Sequence, residues 1–235
     1  MKRLVLPLML LSLVSMSLTA HAEVEEEILF REIPWGTSFT EVKDNIIPEL
    51  DWDSMHGDWM RVLTLNDIIA DKSESMDFKN NDLCLDAYTI GEIDVAGYTV
   101  SQTSMYYAFV PVGGSVTHED SDTALYAAEY DIEPVDLDLA FADLFNKLVS
   151  VYGEPDASKQ YEIFNEYPNV LYYWYGSNDT MVVLKRSPYK DDNHIHIFYA
   201  WENGDKLLHE ADDVVSGIKA DEESSIYGND NTDGL

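Results

Sequence analysis

The side chains best able to do chemistry here sit in the stretch "HIHIFYAW", residues 194–201. Strand alternation sends His194 and His196 to one face and Ile195, Ile197, Tyr199 and Trp201 to the other. Two imidazoles on one face, joined by a carboxylate from elsewhere, could ligate one metal ion of the zinc type. The competing interpretation is a pair of solvent-facing histidines on the polar side of a half-buried strand. No further ligand stands at a telling spacing, and no cofactor is expected.

Other motifs fall short of a chemistry. "HEADD" at 209–213 opens like a zinc-protease helix, but Asp213 stands where the second histidine ligand belongs. There is no Gly-x-Ser-x-Gly elbow, no phosphate-binding loop and no dinucleotide fingerprint. The oxygen-rich runs "THEDSD" (117–122) and "NDNTDG" (229–234) resemble calcium loops, yet the second opens on Asn and ends before any twelfth-position Glu. Solvated loops are the expectation for both. A non-catalytic role is therefore expected, with a secreted metal-dependent hydrolase, or a divalent-cation or glycan binder, as rivals.

Aromatic residues give a second lead. In "VLYYWYG" (170–176), Tyr173 and Tyr175 fall on one strand face, and Tyr172 and Trp174 on the other. Tyr106 and Tyr107 oppose each other in the same way in 104–111. A sheet with one wet face alternates apolar with polar, and these strands do not. Either the chain closes both faces, or a protein partner covers one at Tyr106, Tyr107, Tyr172, Tyr173, Trp174 and Tyr175. In "IPWGTSFTEVK" (33–43), Trp35 and Gly36 precede a capping box, Ser38 with Glu41, and are expected to be structural.

These residues need scaffolding elements, and the periodicities supply them. Phe39, Val42, Ile46 and Ile47 predict a helix ending at Pro48. Period-two alternation predicts strands near 84–92, 96–102, 104–111 and 123–131. "DLDLAFADLFNKLVSVYGEP" predicts the clearest helix, with Asp136 at its start and Gly153 and Pro155 at its end. A second β-run follows ("VLYYWYG", "MVVLKR", "HIHIFYAW"), then a terminal helix in "ENGDKLLHEADDVVSGI" and, over 217–235, an acidic disordered tail. Helix-then-strands twice over predicts α+β architecture, helices packed on antiparallel β-sheet, in one or two such units over 23–132 and 133–216.

Lys2 and Arg3, the apolar run "LVLPLMLLSLVSM" and Ala20-His21-Ala22 predict a signal peptide over 1–22, hence an exported, periplasmic or extracellular chain with no membrane span once mature. With 45 acidic against 14 basic residues the net charge is −31, a field that opposes nucleic acid and anionic membranes and attracts cations or a basic partner. One cysteine, Cys84, excludes an internal disulfide and is expected as a buried small hydrophobe.

"WGTSFTEV" (35–42) resembles the helix opening of beta-lactamase-inhibitor-like proteins and of the small outer-membrane assembly lipoproteins. "LVSVYGEP" (148–155) and "YYWYGSNDTMVVL" (172–184) resemble their helix ending and the hairpin after it. The resemblance implies helices laid on one face of an antiparallel sheet, with the other face free for a protein partner. Here the opening and ending motifs lie in different halves, and no cysteine stands at the cleavage site. An exported, non-catalytic binding module of the bacterial envelope or extracellular space is the expectation.

Overall fold

The computed structural model describes residues 26–48, 50, 52–54, 84–100, 102–163, 167–189 and 192–227. In chain order the elements are α1 (Phe39–Glu41, continuing as a π-helical turn over Val42–Ile46), β1 (Trp52–Ser54), β2 (Leu85–Ile90), β3 (Ile93–Val95), β4 (Tyr98–Val100), β5 (Gln102–Phe109), β6 (Thr123–Ile132), α2 (Leu137–Tyr152), β7 (Ala157–Ile163), β8 (Tyr167–Tyr175), β9 (Thr180–Tyr189), β10 (Asp192–Trp201) and α3 (Asn203–Tyr227). Eight strands form one antiparallel sheet in the order β1-β2-β5-β6-β10-β9-β8-β7, and β3 pairs with β4 as a separate hairpin. The chain is thus α+β. The stretches 23–132 and 133–216 share a single sheet, joined where β6 pairs with β10.

Helix α2 forms where the apolar spacing placed it. The Asp136 carboxylate accepts the Leu139 N–H at 3.0 Å, and Gly153, at φ +84°, ends the helix. Leu137, Ala140, Leu144 and Leu148 bury against Trp174, Val182, Leu184, Ile195 and Ile197 of the sheet. The Trp174 indole N–H donates to the Gly153 carbonyl at 2.9 Å, tying the helix end to β8.

The rest of this face is closed by the segment before β1. Ile28, Phe30, Ile33, Trp35 and Phe39 are buried there, and the segment is held by hydrogen bonds across the sheet. The Ile28 N–H donates to Thr180 Oγ1 at 2.9 Å, and the Trp35 indole to the Ile28 carbonyl at 2.8 Å. Gly36, at φ +81°, donates to the Leu125 carbonyl, and Leu125 donates back to Thr37, both at 2.9 Å. Trp35 and Gly36 are structural.

Three elements differ from expectation. α1 keeps its cap, Glu41 N–H to Ser38 Oγ, but widens into a π-turn in which Ile47 N–H reaches the Val42 carbonyl. β7 ("ASKQYEI") has mixed polarity, so no period-two signal marked it. α3 runs to Tyr227, past the expected tail boundary at 217; "NDNTDG" (229–234) lies outside the described residues. No described helix is long and apolar enough to cross a membrane.

Candidate functional site

Antiparallel register lays the second face of the sheet out in rows. Ala87, Tyr106, Ala127, Ala200, Met181 and Tyr175 form one row. The next holds Thr89, Ser104, Glu129, Phe198, Val183 and Tyr173, and the one beyond it Gln102, Asp131, His196, Lys185, Leu171 and Lys159. The first row is apolar and lies beside α3, whose Leu208 joins Tyr126, Ala127 and Ala200 in a second core. Polarity therefore rises along the strands with distance from the start of α3.

At the polar end the side chains converge. His194 Nδ1 lies 2.6 Å from Asp131 Oδ1 and His196 Nδ1 lies 2.5 Å from Glu129 Oε1. Both contacts are diagonal, because the register sets Asp131 opposite His196 and Glu129 opposite Phe198. The two imidazoles stack at 5.7 Å and 17°. Exposure of the four side chains runs only from 13 to 23%. Tyr106 Oη donates to Glu129 Oε2 at 3.3 Å; burial first, and the Glu129 charge second, push this phenol well above its ordinary range.

No protein-family model, curated protein or solved structure matches this chain. Function has to be argued from its own side chains.

His194 and His196, the candidate metal ligands, share a face, and carboxylates of β6 stand beside them. One ligand atom from each of Asp131, His194 and His196 lies within 4.8 Å of the others. Glu129 and Asp131 were missed. Their signal was an acid pair at i and i+2 in the otherwise apolar strand "ALYAAEYDI", the same spacing as the histidine pair.

The six aromatic residues expected at a partner surface are placed differently. Tyr107 and Trp174 are fully buried, while Tyr106 and Tyr173 are 9 and 5% exposed. Tyr172 packs under Phe145 of α2, with ring centroids 4.6 Å apart. Tyr175, 44% exposed, is the one left open. Both aromatic faces belong to cores that the chain itself builds, which is why neither alternates with polar residues.

A groove that the sequence did not reveal lies between the β3–β4 hairpin and the start of α2. It encloses about 530 Å³ and is lined by Tyr98, Ile132 and Leu139 together with Glu133, Asp136 and Asp143. Val135 on its rim is fully exposed, and Leu139 is 70% exposed. Tyr98 Oη donates to Asp143 Oδ2 at 2.7 Å. Lys147 bridges the same carboxylate and the Ala96 carbonyl, fixing the hairpin to α2. The Lys147 ammonium and the Tyr98 hydroxyl hold Asp143 below the usual carboxylate range. Burial, with Asp143 beside it, pushes Tyr98 up to about 12.

"THEDSD" folds on itself. Thr117 Oγ1 donates to Asp122, and Tyr88 Oη lies between Asp120 and the buried Asp86 at 2.9 and 2.8 Å. Cys84 is buried.

Proposed function

We propose that the chain is an exported, non-catalytic binding module that receives a basic protein segment in the groove beside α2. One observation carries this reading: large apolar side chains, Val135 and Leu139, stand exposed on a groove whose other lining groups include three carboxylates, Glu133, Asp136 and Asp143. Apolar side chains flanked by lysine or arginine fit such a surface, the apolar part supplying affinity and the charges orientation. The whole chain reinforces the local charge, with 45 acidic against 14 basic residues. The same field disfavours nucleic acid. The resemblance of the short motifs to envelope domains is in keeping with a protein partner.

The test is a pull-down from an envelope extract with tagged residues 23–235, over a salt series, beside the variant Val135→Asp/Leu139→Asp. Both side chains are exposed, so the variant folds, which circular dichroism checks. A protein held by the native chain, weakened by salt and lost with the variant supports the reading. Equal capture by both chains overturns it.

A further inference from the structure

Apart from the groove, we propose that Asp131, His194 and His196 form a binding site for a divalent first-row transition-metal ion, zinc in the first instance, with Glu129 beside it as the next available oxygen. The donor types point to this class. Two imidazole nitrogens with carboxylate oxygens suit zinc and its neighbours, whereas calcium needs six to eight oxygens and magnesium a mostly hydrated octahedron.

The two carboxylate–imidazole distances bracket what a tetrahedral ion requires, and all three donors lie within 4.8 Å of one another, so the histidine pair closes further on an ion. Ligand bonds of 2.0–2.1 Å place neighbouring donor atoms about 3.3 Å apart. Asp131 Oδ1 now stands 2.6 Å from His194 Nδ1 and 3.9 Å from His196 Nδ1. The required separation lies between those two values, so a swing of the Asp131 carboxylate toward His196, by less than about 1 Å, equalises them. Glu129 Oε1 lies on His196 Nδ1, and its other oxygen is held by Tyr106.

The surroundings favour occupancy. The donors sit on two adjacent hydrogen-bonded strands, a rigid frame. Their low exposure reduces competition from water. Lys185 stands opposite His196 on β9 and opposes a cation there; Glu129 and Asp131 bring two negative charges beside the histidines to offset it.

The experiment uses the full chain purified without a histidine tag and stripped by chelator, with zinc chloride as the probe in calorimetric titration. One zinc per chain is expected, with affinity at least a hundredfold weaker in His194→Ala/His196→Ala and at least tenfold weaker in Asp131→Asn. His118→Ala/His209→Ala should bind as the native chain does. A tenfold excess of calcium should not displace the zinc. Cobalt substitution supplies a second readout, a visible d–d spectrum of four-coordinate N/O type that disappears in the double variant. No zinc uptake by the native chain overturns the proposal. So does uptake unchanged in the double variant, which would assign the zinc to scattered surface carboxylates. Val135→Asp/Leu139→Asp should leave the titration unaltered, so failure here and failure of the groove reading are separable.

Discussion

Gly204, the second residue of α3, tests whether that helix is seated on the sheet. A Cβ built on Gly204 would stand 2.2 Å from Tyr126 Cβ and 2.7 Å from its Cγ. Carbon atoms rest at about 3.5–4.0 Å, so Gly204→Ala must lift the helix start by more than an ångström or displace Tyr126, which is fully buried. Overpacking of this kind costs about 1–3 kcal/mol. Better helix propensity returns at most about 1 kcal/mol, and less in a first turn. A net loss of about 1–2 kcal/mol remains, lowering Tm by about 2–8 °C in a chain of this size. Gly217, on the same helix, meets nothing within 4 Å, so Gly217→Ala should hold or raise stability by up to about 1 kcal/mol. Thermal and urea unfolding of both variants against the native chain would read the contrast. If Gly204→Ala proved as stable as Gly217→Ala, α3 would not rest on Tyr126, and the account of the second core would fail.

Tyr107 is fully buried and its hydroxyl has no hydrogen-bond partner among the described residues. Tyr107→Phe should therefore raise stability by about 1 kcal/mol in urea unfolding, and a loss would mean the hydroxyl is satisfied. Thr180 Oγ1 accepts the Ile28 N–H and donates to the Ser177 carbonyl; Thr180→Val strands both and should cost about 1–3 kcal/mol, with amide exchange at Ile28 accelerated as the local marker. Burial raises the phenols of Tyr88, Tyr98, Tyr106, Tyr107, Tyr126, Tyr130, Tyr152, Tyr173, Tyr175 and Tyr199, ten of the fifteen tyrosines. The native state holds these protons more tightly than the unfolded chain does. Their contribution is complete below pH 10 and is lost as pH rises through the native values, about 12 for Tyr98. Phenolate absorbance at 295 nm should then lag in the native chain near pH 10 and appear together with unfolding; a single transition at pH 10 for all fifteen would refute the burial.

What was legible in the sequence was local. Asp136, the leucine spacing and Gly153 fixed α2, and alternation in "HIHIFYAW" fixed both faces of β10. The partner strand was not legible, because the diagonal contacts to Glu129 and Asp131 join residues 67 and 63 positions apart, and alternation carries no register between strands. The aromatic strands were recognised as apolar on both faces, but what covers them depends on how α2, α3 and the segment from Ile28 to Phe39 fold back. The groove was invisible for the same reason: Tyr98 and Asp143 meet only once the hairpin lies across α2.

The order of the sheet has a consequence for how the chain comes together. β10 is the last strand made, yet it lies in the middle, between β6 and β9. From Ile132, where β6 ends, to Asp192, where β10 begins, the growing chain has not yet made the strand that covers the inner edge of β6. That edge is mostly apolar apart from Glu129 and Asp131, and an open strand edge can pair with other copies. The ten pairs of β10 with β9 start at Tyr189 and Asp192 and are local, whereas its six pairs with β6 join Ile132 to Ile195 and are the long-range step, so uniting the two halves waits on the end of the chain. Until β10 is complete at Trp201, the β6 edge it covers stays open, and the two halves of the chain have no strand in common.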